Sequence, residues 1–111
     1  MITTHVIRSG SELKEVIAQH DNVIVDFFKD GCAPCKMVEL LFKELIKKQD
    51  TLTTPVHILK VQLEVVGEEV FGEYGVRSTP TLLFIKEGQV VRSNPGIMML
   101  PMFLNAIEQH F

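Results

Sequence analysis

Apolar residues are arranged along the chain in two ways, as short continuous runs and at helical spacing. The run Asn22–Phe28 (NVIVDFF) is almost wholly apolar and rich in β-branched and aromatic residues, which is typical of a strand buried on both faces. Val56–Leu63 predicts another strand. Thr81–Ile85 and Gln89–Arg92 flank the turn-forming segment Lys86-Glu87-Gly88, so this region predicts two strands joined by a tight turn.

Helical spacing of apolar residues predicts four helices. Ser9 or Ser11 is placed to cap the first helix, and Pro34 suits the first turn of the second, where its missing N–H costs nothing. The helices are expected to run from this cap to about His20, from Pro34 to Gln49, over Gly67–Glu73, and from Leu100-Pro101 to His110.

With a further strand before the first helix, the predicted order of elements is β-α-β-α-β-α-β-β-α. Strands that are joined by helices and followed by a hairpin imply a mixed sheet with helices on both faces. The length of 111 residues suits one domain, and no repeat, linker or low-complexity segment divides the chain. We expect a single α/β domain over residues 1–111.

The composition argues against several classes of function. The net charge is -3, and the lysines and arginines are scattered, so no basic surface for nucleic acid is expected. The amino terminus lacks the basic segment and apolar run of a signal peptide, and the longest apolar stretches are far too short to cross a membrane. We expect a soluble, cytoplasmic monomer that binds neither nucleic acid nor membranes.

The two cysteines, Cys32 and Cys35, stand between the apolar strand and the predicted second helix. A pair of cysteines in a small domain without a secretion signal indicates redox or metal chemistry rather than a disulfide scaffold. Cys32 is expected to begin the helix, where free N–H groups and the helix dipole favour a thiolate. A thiolate attacks a disulfide sulfur, and Cys35 is close enough to resolve the mixed disulfide that forms.

Other interpretations of the cysteine pair remain open at this point. One is a structural disulfide, although it closes a very short loop and would stabilise the fold little. Another is a structural zinc site, which normally needs four Cys or His ligands, and a third is a pair of inert thiols. The histidines lack the paired spacing of a zinc motif, so we interpret each as a surface or packing residue and expect no metal site. They are His5, His20, His57 and His110.

Five separated motifs occur in an order that resembles the thioredoxin family: VIVDFF, CAPCKM, KVQLE, YGVRSTPTLLFIKEGQVV and a late glycine, Gly96. The resemblance implies a thioredoxin fold, with a central mixed sheet of about five strands flanked by about four helices. It implies reduction of protein disulfides by dithiol exchange, with Cys32 attacking and Cys35 resolving. No cofactor is implied beyond the redox-active Cys32–Cys35 disulfide, and the implied partners are protein disulfides and an electron donor that resembles thioredoxin reductase.

The resemblance also gives roles to residues inside the predicted sheet. Asp26 matches the buried carboxylate that the family places below its cysteines, and an aspartate within an apolar run is otherwise hard to explain. Desolvation raises the pKa of such a group, so Asp26 is expected to exchange a proton with Cys35 near neutral pH. Lys60 matches a lysine that lies near this carboxylate in the family.

A loop distant in sequence is expected to face the cysteines. Thr79-Pro80 matches the cis-proline loop of the family, where the backbone of the residue before the proline pairs with an extended substrate segment. Gly96 resembles the glycine that lets a partner approach the same groove. We expect the substrate to be contacted by Gly31, Ala33, Pro34, Thr79, Pro80 and Gly96.

The chain departs from the family pattern around the cysteines. It has no tryptophan, and Phe28 and Gly31 occupy the two places where thioredoxins usually carry one. Phe28 still fills a pocket, whereas Gly31 removes a large apolar side chain and loosens the turn. The segment Ile97-Met98-Met99 is unusually apolar; we interpret it mainly as core packing and alternatively as partner surface that replaces what is lost at Gly31.

Three functions are compatible with these features. The first is a general reductase of protein disulfides. The second is a glutaredoxin-like reductase that takes electrons from glutathione, although no glutathione-carboxylate clamp is evident. The third is a thioredoxin-fold binding module with incidental thiols, which the apolar segment Ile97-Met98-Met99 favours.

Overall fold

The computed structural model describes all residues from Met1 to Phe111 and confirms the α/β class. The strands are β1 (Ile2–Ile7), β2 (Asn22–Phe28), β3 (Val56–Gln62), β4 (Thr81–Lys86) and β5 (Gln89–Pro95). The helices are α1 (Gly10–Gln19), α2 (Ala33–Lys47), α3 (Leu63–Val66), α4 (Glu68–Glu73) and α5 (Leu100–His110), with a 3₁₀ turn at Gln49–Thr51. No helix combines the length and the apolar character needed to span a membrane.

The five strands form one mixed sheet in the order β1-β3-β2-β4-β5. Strands β1, β3 and β2 are parallel, and β4 and β5 continue the sheet in antiparallel pairing. Strand β2 is thus the middle strand, and its loop to α2 leaves the sheet at the carboxyl end of β2. This end of the sheet carries both cysteines.

The first helix begins as the sequence predicts. Ser9 is its N-cap, and its hydroxyl accepts a hydrogen bond from the N–H of Glu12 at 3.1 Å. The Glu12 carboxylate in turn accepts from the N–H of Arg8 at 2.7 Å. These bonds satisfy N–H groups that have no partner within the helix.

The chain between β3 and β4 differs from the prediction of a single helix over Gly67–Glu73. A one-turn helix, α3, precedes α4, so the structure has five α-helices rather than about four. Gly67 separates them with a φ of +91°, a backbone conformation that interrupts a right-handed helix and favours glycine. Helix α2 also ends at Lys47, two residues before the predicted end at Gln49.

Two hydrophobic layers hold the helices to the sheet. The first lies between the sheet and α2 and α5, and the second lies on the opposite face under α1 and α4. Successive residues of β2 contribute to alternate layers, since Ile24 belongs to the first and Val25 to the second, and both are fully buried. The two-sided burial predicted for this strand is confirmed, and it fixes which face each neighbouring side chain takes.

Phe103 of α5 provides a test of the first layer. Its ring is fully buried and lies 6.0 Å from Phe42 and 5.9 Å from Phe84, centroid to centroid. We expect Phe103→Ala to lower the free energy of unfolding by about 3–5 kcal/mol in urea denaturation, because it leaves a cavity between helix and sheet. The neighbouring Met102 is 54% exposed, and Met102→Ala should change stability by less than about 0.5 kcal/mol. Equal effects of the two substitutions would contradict this assignment of the core.

Candidate active site

Both cysteines lie at the amino-terminal end of α2, immediately beyond the middle strand of the sheet. Cys32 and Cys35 are joined by a disulfide, and their Cα atoms are 5.2 Å apart. Cys32 is the N-cap residue and Pro34 lies in the first turn, where proline is tolerated. The two residues are buried to nearly the same extent, 7% and 5% exposed, so the accessible part of the first cysteine is small.

The helix end supplies hydrogen-bond donors to the first sulfur. The N–H of Cys35 donates to Cys32 Sγ at 3.2 Å. Free N–H groups and the helix dipole both favour negative charge at this position. When the disulfide is reduced, this environment favours a thiolate on Cys32 over one on Cys35, which lies deeper in the helix.

A second loop approaches the same sulfur. The Thr79-Pro80 peptide bond is cis, as the resemblance implies, and the carbonyl oxygen of Thr79 is 3.8 Å from Cys32 Sγ. The hydroxyl of Thr79 also lies 3.6 Å from this sulfur and can donate a hydrogen bond to it. The sequence prediction involved only the backbone of Thr79. Its hydroxyl contact was missed because the sequence does not show how the Thr79 side chain is oriented within this loop.

The late glycine lies beside this loop. The N–H of Gly96 donates to the carbonyl oxygen of Pro80 at 2.8 Å, and the φ of Gly96 is +85°. Thr79, Pro80 and Gly96 therefore form a continuous rim next to Cys32. On the other side, Ala33 and Pro34 are exposed at the start of α2.

Gly31 forms the turn that leads from β2 into α2. Its φ is +67°, in the left-handed region that glycine adopts most readily. A Cβ atom at this position would have no neighbour within 4 Å, so the absence of a side chain is explained by the backbone and not by crowding.

Asp26 is buried in β2 as predicted, with only 1% of its surface exposed. Its Oδ1 atom has no hydrogen-bond partner. Burial raises the pKa of this carboxyl from 3.8 to about 7, and the charge of Lys60 opposes the rise. Asp26 and Ile24 point to the same face of the sheet, which is the face covered by α2.

Lys60 connects this carboxyl to the active-site helix. It lies directly opposite Asp26 in the β2–β3 pairing, and its ammonium group forms an ion pair with Glu39 of α2. The ammonium also lies 5.1 Å from the ring centroid of Phe28. Burial lowers the pKa of Lys60, and the charge of Asp26 opposes this change.

Glu39 is a member of the site that the sequence prediction missed. Its position four residues after Cys35 places both side chains on one face of α2. The two residues also line a small cavity of about 170 Å³ beside the disulfide. The helical spacing from Cys35 was the signal that could have identified Glu39. The cavity is lined by Phe28, Lys29, Asp30, Gly31, Cys32, Cys35, Lys36 and Glu39.

The apolar segment Ile97-Met98-Met99 has one buried and two exposed side chains. Met98 is 4% exposed and belongs to the first hydrophobic layer, whereas Ile97 and Met99 are 51% and 67% exposed. The two exposed residues line a shallow apolar depression together with Met37 and Leu40 of α2. Core packing thus accounts for Met98 alone.

Comparison with known proteins finds similarity to thioredoxins. The family model described as Thioredoxin matches residues 4–109. A thioredoxin from Haemophilus influenzae is 33% identical over 103 residues, which cover 92% of each chain. A thioredoxin-like protein from Fusarium culmorum is 33% identical over 90 residues, which cover 81% of this chain and 73% of the relative.

Solved structures agree in fold. A mutant thioredoxin from Halobacterium salinarum superposes with a TM-score of 0.83 at 26% identity, covering 97% of this chain and 90% of that one. A reduced thioredoxin from Schistosoma mansoni superposes with a TM-score of 0.82 at 28% identity, covering 98% and 99%. The fold, the cysteine pair and these relatives together show that the chain belongs to the thioredoxin family and is a thiol–disulfide oxidoreductase.

Proposed function

We propose that this oxidoreductase reduces disulfide bonds of other proteins, with Cys32 as the attacking cysteine and Cys35 as the resolving one. The observation that carries the proposal is the placement of Cys32 Sγ. It accepts the N–H of Cys35 at the start of α2 and lies within 4 Å of both oxygens of Thr79. This sulfur is therefore stabilised as a thiolate next to a loop whose backbone can align a substrate.

The reaction consists of two exchanges that conserve electrons. The Cys32 thiolate attacks one sulfur of the substrate disulfide, forms a mixed disulfide and releases the other substrate sulfur as a thiolate. Cys35 then loses its proton and attacks Cys32 Sγ, which releases the second substrate thiol and forms the Cys32–Cys35 disulfide. The substrate gains two electrons, and the protein loses two.

Asp26 is proposed to accept the proton from Cys35 in the second exchange. A general base is most effective when its pKa is close to the working pH, and burial gives this carboxyl a pKa of about 7. Lys60 and Glu39 are positioning residues in this scheme, because they set the charge near Asp26 without contacting the substrate.

The rim around Cys32 is proposed as the substrate-binding surface. An extended segment of the substrate pairs with the backbone of Thr79, in the manner of a strand added to a sheet. Pro80, Gly96, Ala33 and Pro34 border this groove, and Gly31 leaves it open on the side of β2. The depression with Ile97 and Met99 extends the apolar surface that a protein substrate can bury.

The reaction requires an electron donor, because the oxidised protein must regain two electrons before it can reduce another substrate. We propose a donor that resembles thioredoxin reductase. We further propose that one domain over residues 1–111 acts as a cytoplasmic monomer in electron transport and redox homeostasis. A glutathione-dependent function is disfavoured because the relatives are thioredoxins and no clamp for the glutathione carboxylates is evident.

The cysteines provide the primary test. The wild type should accelerate the reduction of insulin, and Cys32→Ser should abolish the acceleration because no attacking thiolate remains. Cys35→Ser should accumulate mixed disulfides, since the second exchange is blocked. Failure of the wild type to reduce insulin, with no trapped substrate, would overturn the proposal.

Two further experiments address the alternatives. Turnover with glutathione, compared with turnover with a thioredoxin reductase, identifies the electron donor. Partner binding that survives replacement of both cysteines would indicate a binding module.

The raised pKa of Asp26 predicts a specific dependence of stability on pH. Between pH 3.8 and about 7 the carboxyl is charged in the unfolded chain and protonated in the folded one. The folded state therefore binds more protons, and the free energy of unfolding should fall as the pH rises through this window. Over the full window, this rise in pKa corresponds to a loss of about 4 kcal/mol in the free energy of unfolding.

Asp26→Asn should remove this dependence and should be more stable than the wild type at pH 8, as measured by urea unfolding at several pH values. It should also slow release of substrate from the mixed disulfide. The exposed Asp50 gives a matched control, since Asp50→Asn should keep the wild-type profile. Parallel pH profiles for the wild type and Asp26→Asn would refute the assignment.

The exposed apolar residues provide a test of substrate binding. The double variant Ile97→Ser/Met99→Ser should raise the KM for insulin by roughly fivefold, corresponding to about 1 kcal/mol of lost apolar contact. Activity on a small-molecule disulfide should not change. Val90→Ser is the control, because Val90 is 55% exposed but lies in β5 near the hairpin, at the other end of the sheet. An unchanged KM in the double variant would exclude these residues from the substrate surface.

A further inference from the structure

Three histidines that are far apart in the sequence converge in the structure. One ring nitrogen from each of His5, His20 and His57 can be chosen so that all three lie within 4.8 Å of one another. His5 Nε2 is 3.0 Å from His57 Nδ1, and the rings of His20 and His57 are stacked with centroids 3.5 Å apart. From the sequence each histidine was interpreted as a surface or packing residue, and the convergence of three of the four was not predicted.

The fold brings the three rings together at one end of the sheet. His5 of β1 and His57 of β3 lie on neighbouring parallel strands, with Thr3 directly opposite His57. Because alternate residues share a face, His5 and Thr3 point to the same side of the sheet as His57. This is the side covered by α1, and His20 is the residue immediately after α1.

The cluster is remote from the cysteines. His57 lies opposite Val23 near the start of β2, whereas Cys32 follows the end of that strand at Phe28. The five residue steps from Val23 to Phe28 span roughly 16 Å along the sheet. A ligand held by the histidines would therefore not contact the disulfide.

We propose that His5, His20 and His57 form a binding site for a divalent transition-metal ion such as zinc. Imidazole nitrogen is a preferred ligand of zinc, copper and nickel, and three protein ligands with one open position are a common zinc arrangement. All three side chains are partly exposed, so an ion can reach them from solvent.

The rings must rotate before the three nitrogens can bind one ion. Zinc–nitrogen bonds of about 2.0–2.1 Å require the three nitrogens to approach one another more closely than 4.8 Å. The stacked rings of His20 and His57 must turn so that their lone pairs point to one ion. His20 follows the last residue of α1 and is only partly buried, which leaves its side chain room to rotate.

Neutral imidazole offers a lone pair to a metal, whereas imidazolium does not. A bound ion would connect β1, the end of α1 and β3, and would thereby fasten the edge strand to the rest of the sheet.

Zinc binding to the oxidised, untagged protein tests the proposal. In the oxidised form the Cys32–Cys35 disulfide withholds both thiols, so only other groups can bind the ion. Isothermal titration with zinc chloride should show one ion per chain, and zinc should raise the melting temperature. His20→Gln and His57→Gln should weaken binding by at least about tenfold, the loss that even a supporting group causes at a metal site.

The fourth histidine supplies the matched control. His110 lies in the last turn of α5 beside the ring of Phe84, apart from the cluster, and His110→Gln should bind zinc like the wild type. Insulin reduction by His20→Gln should remain at the wild-type level, which shows that the variant is folded and that the two sites are independent. Absence of zinc binding by the wild type, or equal binding by the wild type and His20→Gln, would overturn the proposal.

Discussion

Strand β2 lies between β3 and β4 in the middle of the sheet, and hydrophobic layers cover both of its faces. Each residue of this strand is therefore placed by packing on two sides, and its carboxyl end is held at a fixed position relative to α2. That rigidity allows a short turn to present Cys32 at the helix terminus. It also means that the one charged residue of the strand, Asp26, cannot escape to solvent.

Retaining a carboxyl in such a place lowers stability at neutral pH, because burial disfavours its charged form. The structure compensates in part through Lys60, whose own partner is Glu39 on the active-site helix. The three charges form a chain from the middle strand to the helix that carries the cysteines. The charge of Lys60 acts on the proton affinity of Asp26, so in the proposed mechanism the proton transfer depends on a residue that does not touch the substrate.

The sequence allowed the larger elements to be predicted closely, because their signals are local. The apolar run of β2 and the apolar spacing of α5 gave the bounds of these elements as the structure has them. The break at Gly67 was missed, since a glycine within a helical pattern shows no sign of its φ until the fold is known.

Contacts between distant segments were harder to foresee. The cysteine pair was identified from its spacing and its place before a helix, whereas Asp26 and the Thr79-Pro80 loop were assigned by their match to a family pattern. The hydroxyl contact of Thr79 was missed because a single sequence does not show which side chains meet across the fold. Glu39 was missed although its helical spacing from Cys35 is a local signal. The convergence of His5, His20 and His57 was also not predicted. It depends on the register of β1 with β3 and on where α1 ends, which a single sequence does not show.

The turn at Gly31 has a consequence for how this site changes over evolution. A bulky residue there meets open space, yet the left-handed backbone angle costs an L-residue roughly 1–2 kcal/mol. A large side chain at this position therefore requires either that energetic cost or a change in the backbone conformation of the loop. Positions 97 and 99 carry no such restriction, because the side chains of Ile97 and Met99 are exposed and neither residue has a positive φ.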